Sequence, residues 1–211
     1  KRKLIHDFFS KQNPNILVTM PTGSGKTVLA METIVDLFRS FESYNNANMH
    51  IMWLVSSKEL CEQSFQSFQK IWKQKGDHEV IAERYFSRFQ NLLQTSKSKI
   101  TFASLDLMVK RLDREEVEKQ FENTSLLIID ETHGINASEY NRVLLRYKEL
   151  NLNYRIMGLT ATPFRNDDND NNSIRGIFES LYQITNDEGN DVPSPMKYLM
   201  KEEYLSNVKF E

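Results

Sequence analysis

Gly23, Ser24, Gly25, Lys26 and Thr27 follow the apolar run Ile16–Met20 and lead into an apolar, helix-favouring stretch. That order suits one kind of ligand. Consecutive backbone N–H groups in a tight loop make a concave anion site, and glycine allows the backbone angles and the close approach. A helix starting directly afterwards adds free N-terminal N–H groups and the positive end of its dipole. Lys26 would bring a full charge to the outer phosphates, and the Thr27 hydroxyl could ligate magnesium. The strict pattern G-x-x-x-x-G-K-[ST] is not met, because Met20 stands where its first glycine belongs. The strand–loop–helix context is what separates this loop from an ordinary glycine-rich turn with a surface lysine.

A second group lies about a hundred residues on, in "SLLIIDETHG", Ser125 to Gly134. Four buried-type residues end in Asp130-Glu131. In open α/β sheets ligands sit beyond the carboxyl ends of the strands. Asp130 is therefore placed to hold magnesium, directly or through water, and Glu131 to orient and deprotonate an attacking water. Two acids after a strand mean little alone; with a lysine–threonine cradle upstream they complete an ATPase. His133 has two readings, a surface residue or a link from the nucleotide site to a neighbouring element.

These groups must be positioned by strands and helices, and the hydropathy pattern supplies both. Apolar, β-rich runs recur at Ile16–Met20, Ile51–Val55, Ile100–Ala103, Leu126–Ile129 and Arg155–Leu159. Between them lie helical patterns: Cys61, Phe65, Phe68 and Trp72 share one helix face, as do Tyr140, Val143, Leu144 and Tyr147. Alternating strands and helices predict an α/β fold, a mainly parallel sheet with helices on both faces. Runs such as "LLII" suit strands buried on both sides. "FESYNNANMH" reads as a connecting loop, and residues 166–173, "NDDNDNNS", as a flexible acidic loop. That loop lacks the glycine and closing glutamate of a calcium site. From Ile174 onward the pattern predicts a short helix, a short strand and another helix.

Composition narrows the setting. The chain has 211 residues, 39% of them hydrophobic and 27% charged, with a net charge of -2. Any nucleic-acid contact must therefore come from a local patch. The single cysteine, Cys61, excludes an internal disulfide and points to a reducing, cytoplasmic setting. No apolar run is long enough to cross a membrane as a helix.

"PTGSGKT", "DETH" and "GLTATPFR" (Gly158 to Arg165), in that order, resemble motifs I, II and III of superfamily 2 helicases and translocases. The form is most similar to the DEAH-like group that contains the motor subunits of type I and type III restriction enzymes. "WLVSSKELCEQ", Trp53 to Gln63, resembles motif Ia, and "ITFASLDLM", Ile100 to Met108, the next strand-end motif. The resemblance covers roughly Ile16 to Arg165. It implies a RecA-like P-loop NTPase domain that uses ATP and Mg2+. Thr22 to Thr27 would hold nucleotide, Thr27 and Asp130 the metal, and Glu131 would act as base beside Lys26. His133, Thr160 and Thr162 would couple hydrolysis to movement on nucleic acid. Ser56, Ser57 and Ser104 fall where the family touches the nucleic-acid backbone, although the family commonly has Pro-Thr or Pro-Arg at the first two.

The resemblance also implies parts that this sequence lacks. No Arg-x-x-Gln motif precedes the cradle to read adenine, and Gln12 lies in a different context. Motifs IV, V and VI of a second RecA-like domain have no match either. We therefore expect one motor domain of a larger protein, nearly inactive alone, with residues 196–211 starting the link to the second domain. The expected partners are nucleic acid, DNA ahead of RNA, that second domain and other subunits, but no membrane. An RNA helicase of the same fold and a nucleotide-dependent switch or scaffold are the rival readings. Elsewhere, "AERYFSRFQNLLQ", Ala82 to Gln94, mixes arginines with aromatics and could stack bases, but Ile81, Tyr85, Phe89 and Leu92 read as one helical face with Arg84 and Arg88 on the surface, which favours core packing. Lys97 to Lys99 reads as solvated, and Cys61 as a structural core residue.

Overall fold

The computed structural model describes residues 14–21, 23–45, 48–130, 137–161, 178 and 180–182. Strands and helices alternate: β1 (Asn15–Thr19), α1 (Lys26–Asn45), β2 (His50–Val55), α2 (Lys58–Lys75), β3 (Ile81–Tyr85), β4 (Lys99–Ser104), α3 (Leu105–Lys110), α4 (Glu115–Asn123), β5 (Leu126–Asp130), α5 (Ala137–Leu150), β6 (Ile156–Thr160) and β7 (Ser180–Tyr182). The seven strands form one sheet in the order β3-β4-β2-β5-β6-β1-β7. Every pairing is parallel.

Alternation within the strands builds two cores. Ile51, Trp53 and Val55 of β2, with Leu126 and Ile128 of β5, face α1 and α2. Met52 and Leu54, with Leu127 and Ile129, face α3, α4 and α5. Both faces being covered explains the uninterrupted apolar runs. The helix face predicted from Cys61, Phe65 and Phe68 is buried, and Trp72 stacks on Phe68 at 5.7 Å and packs edge-on to Phe38. Burying each such phenylalanine contributes about 1.5–3 kcal/mol. Cys61 is buried, and burial pushes its thiol up to about 12, so it behaves as a small core residue. On the other face, Tyr140, Val143, Leu144 and Tyr147 are buried as their spacing predicts. No helix among the described residues is long and apolar enough to cross a membrane.

Three sequence expectations are corrected. The segment from Ile81 is an edge strand, not a helix; Glu83 and Arg84 sit in a strand with only one neighbour, so its hydropathy pattern is weak. Lys99 is not solvated. Its side chain is 1% exposed, ion-paired to Glu83 at 3.2 Å and donating to Gln120 Oε1 at 2.7 Å. Helix α1 continues to Asn45, into the stretch read as a loop. Short strand β7 lies in the segment where one was expected. The acidic loop at 166–173 and the linker at 196–211 lie outside the described residues.

Candidate active site

The cradle hangs between β1 and α1. Gly23 and Gly25 adopt φ of 77° and 83°, the left-handed region that a side chain resists. A Cβ built on either would meet no heavy atom within 4 Å, so the loop bounds open space. Between them, Ser24 folds the turn shut: its N–H and its hydroxyl both donate to the Pro21 carbonyl, at 3.2 and 2.6 Å. Leu29 N–H donates to the Gly25 carbonyl at 2.8 Å, which starts α1. The first-turn N–H groups of α1, those of Lys26 and Thr27 among them, have no partner within the helix and face the loop end. Lys26 and Thr27 are half-buried beside them.

Sheet register brings the other groups alongside. Strand β6 lies between β1 and β5, pairing Thr19 with Thr160 and Asp130 with Leu159. Met20 N–H donates to the Thr160 carbonyl at 3.1 Å and ties the start of the cradle to the end of β6. Thr160 is 1% exposed and Asp130 6%. With parallel strands about 4.8 Å apart, the ends of β1, β6 and β5 span about 10 Å. The motif I and motif II residues, far apart in sequence, thus share one sheet edge.

The donor set fits a magnesium polyphosphate. Among the described residues no group of three or more His, Cys, Asp and Glu could hold a metal. Magnesium asks for no such cage: it keeps several waters and takes one or two protein oxygens plus phosphate. Thr27 and Asp130 could supply those oxygens, and the glycine concavity and Lys26 the phosphate site. Thr22, Glu131, His133 and Thr162 lie outside the described residues.

The same edge continues past β5. Ser56 and Ser57 follow β2, and Ser104 ends β4 level with Val55. Ser57 caps α2, its Oγ accepting from Leu60 N–H at 3.2 Å, so that oxygen is partly committed. Ser104 occupies the cap position of α3 without a capping bond from its side chain. From β1 to β3 the edge crosses five strand spacings, about 24 Å. Sequence reasoning missed the Met20–Thr160 tie, which is backbone, and set aside base stacking by the segment after β3 because of a false helical period.

Residues 2–165 match the family model described as type III restriction enzyme, res subunit. Among curated proteins, the ATP-dependent DNA helicase Hel308 of Methanococcus vannielii is 27% identical over 164 residues, covering 77% of this chain and 21% of the relative. The chain thus spans about a fifth of that relative's length. Among solved structures, the Hef helicase domain of Pyrococcus furiosus superposes with a TM-score of 0.63 at 17% identity, over 93% of this chain and 39% of that one. The DEAD-box helicase Mss116, bound to single-stranded RNA, gives 0.66 at 14% identity, over 89% of this chain and 40% of that one. These likenesses establish the RecA-like fold. With the matched motifs on its sheet edge, the chain belongs to the type III restriction enzyme res-subunit family and is a first RecA-like domain of superfamily 2.

Proposed function

We propose that this domain binds Mg-ATP and, within a longer protein, hydrolyses it to drive helicase action or translocation on DNA. The observation that carries this reading is the shared edge: Gly23–Thr27, Asp130 and Thr160 lie at the ends of three neighbouring strands. Lys26 offsets phosphate charge while the loop N–H groups and α1 hold the phosphate oxygens. Thr27 and Asp130 would hold magnesium, which when bound neutralises charge on the leaving phosphates. Glu131, next in sequence to Asp130, is the base that takes the proton of the attacking water. Thr160, with Thr162 and His133, would pass the state of the γ-phosphate to the nucleic-acid contacts, and Ser56, Ser57 and Ser104 would touch the backbone. An arginine from a second RecA-like domain would complete the site, so the 211-residue chain alone should turn over negligibly.

DNA is preferred to RNA because curated relatives such as Hel308 are named as DNA helicases. The fold itself does not discriminate, since a helicase bound to single-stranded RNA superposes as well as the Hef helicase domain. The test is ATP hydrolysis by the parent protein with no nucleic acid, single-stranded DNA, duplex DNA and RNA, beside Glu131→Gln. DNA should stimulate turnover, and Glu131→Gln should lower it about 10²- to 10⁴-fold, the range of general-base removal. Stimulation by RNA alone would reassign the substrate. No stimulation by any of them would make the domain a nucleotide switch.

A further inference from the structure

Immediately after β3 the chain makes a tight turn, Phe86-Ser87-Arg88-Phe89. Phe89 N–H donates to the Phe86 carbonyl at 3.0 Å, and Ser87 sits at φ 55°, the one non-glycine positive φ among the described residues. The turn is braced from outside itself. Gln90 Nε2 donates to the Ser87 carbonyl at 2.8 Å, and Arg111 donates to both the Gln90 carbonyl, at 2.8 Å, and Gln90 Oε1. Phe86 goes down into the core and meets Phe89 edge-on at 6.0 Å. Phe89 stays outside, 38% exposed.

Two guanidinium groups flank that exposed ring. Arg84 lies 5.4 Å from its centroid and Arg88 5.2 Å. Arg84 is neutralised by a two-pronged bond to Glu62, at 2.8 Å on each arm, and lies 3.6 Å from the Phe65 ring. Arg88 makes no ion pair among the described residues and is exposed. An open cavity of about 340 Å³ adjoins, lined by Glu83, Arg84, Arg88, Phe89, Gln90 and Asn91. Glu83, the acid in that lining, is turned to Lys99 and Thr101, so Arg88 leaves the cavity mouth with a net positive charge.

Position decides what such a ring is for. Tyr85, the last residue of β3, pairs with Ala103, next to Ser104, and Val55 pairs with Ser104. The turn therefore continues the row of strand ends that begins at the ATP cradle and passes Ser56, Ser57 and Ser104. An exposed aromatic beside an unpaired guanidinium matches what single strands ask for: a flat π-face for a base and a cation for the adjoining phosphate. Holding the ring rigidly before binding removes an ordering cost.

We propose that Phe89 and Arg88 form a preorganised stacking site for an unpaired base and its phosphate, at the end of the nucleic-acid track farthest from ATP. This rests on the nucleic-acid motor reading above. The experiment is fluorescence anisotropy of labelled oligo-dT with the parent protein, across a salt series, for wild type, Phe89→Ala, Phe89→Trp and Arg88→Ala. Thermal melts check that each variant is folded. Phe89→Ala should weaken binding on the order of tenfold at unchanged salt slope. Arg88→Ala should reduce the log–log salt slope by about 0.7, the value for one phosphate of a single strand. Phe89→Trp should bind like wild type, and its added emission should be quenched by the stacked base. If oligo-dT binds wild type but neither Phe89→Ala nor Arg88→Ala changes that binding, this inference alone is overturned. An unquenched Phe89→Trp overturns it too, as does a poly-aspartate peptide that binds in place of oligo-dT. A wild-type parent protein that binds no nucleic acid removes the motor reading and this site together.

Discussion

Two glycines at the site answer opposite questions when changed to alanine. In Gly25→Ala the new Cβ would touch nothing within 4 Å, but the residue stands at φ 83°. The cost is backbone strain alone, about 1–2 kcal/mol. In Gly158→Ala, on β6, the backbone tolerates a side chain, but the Cβ would come 2.8 Å from Phe178 Cε1 and 2.9 Å from Leu17 Cδ1. That is overpacking, which costs about 1–3 kcal/mol. At about 2–4 °C per kcal/mol for a chain of this size, both melts should fall by a similar few degrees. Their response to nucleotide should differ. With Mg-ATP at about a hundred times its Kd, wild type gains about 2.7 kcal/mol, or about 5–11 °C. Gly158→Ala should keep that gain, because its strain sits behind the sheet end. Gly25→Ala should lose nearly all of it, because its methyl stands in the concavity the phosphates would fill. Differential scanning fluorimetry with and without Mg-ATP reads both numbers. A Gly25→Ala protein that keeps the full ATP-dependent shift would refute the assignment of this loop as the phosphate cradle.

Two further outcomes concern stability. Removing the partner of buried Lys99 by Glu83→Gln should cost about 3–5 kcal/mol in urea unfolding, because it leaves an uncompensated cation in the core. The double variant Lys99→Met with Glu83→Gln should be more stable than Glu83→Gln alone; the reverse order would show that the pair is not the governing interaction. The hydrogen bonds from Arg84 hold the Glu62 carboxyl down to about 2 from an unfolded value near 4.5. Its folded value is depressed, so this contribution is complete above about pH 4.5 and drains away as pH falls towards 2. The side chain is 35% exposed and water screens the pair, so the contribution is about 1 kcal/mol. In acid titrations followed by circular dichroism, Arg84→Met should erase that part of the pH dependence.

How far the sequence could be read depended on whether one residue type had one physical solution. The sheet interior did: strands covered on both faces must be apolar throughout, so β1, β2, β4, β5 and β6 stood out within a residue or two. The cradle did as well, because two left-handed positions flanking a serine leave glycine with little competition. Edge strand β3 did not. With one neighbour and a half-exposed face it admits Glu83 and Arg84, and the spacing of Ile81, Tyr85, Phe89 and Leu92 then imitates a helix. Lys99 was misread for a related reason. A lysine two residues after the exposed Lys97 resembles solvent-facing charge until Glu83, a neighbour only through the sheet, is seen to neutralise it. The mix of arginines and aromatics in Phe-Ser-Arg-Phe suggested stacking, but only the turn geometry shows that Phe86 is in the core and Phe89 outside it.

The strand order also has a temporal side. β2, β3, β4 and β5 are contiguous in the chain, residues 50–130, and contiguous in the sheet. As synthesis proceeds, that half can assemble while the ribosome is still working. β1 cannot join it, because its strand neighbours are β6, beginning at Ile156, and β7, beginning at Ser180. β1, made before those strands, is therefore among the last to be zipped into the sheet, although α1 behind it already has its packing partners in β2, β5 and α2. Long-range pairings of this kind fold slowly and expose sticky surface meanwhile. Newly made chains thus pass through a window in which most of the domain is native-like but phosphate cannot yet be gripped. Nucleotide, by binding only the closed form, draws the last step to completion.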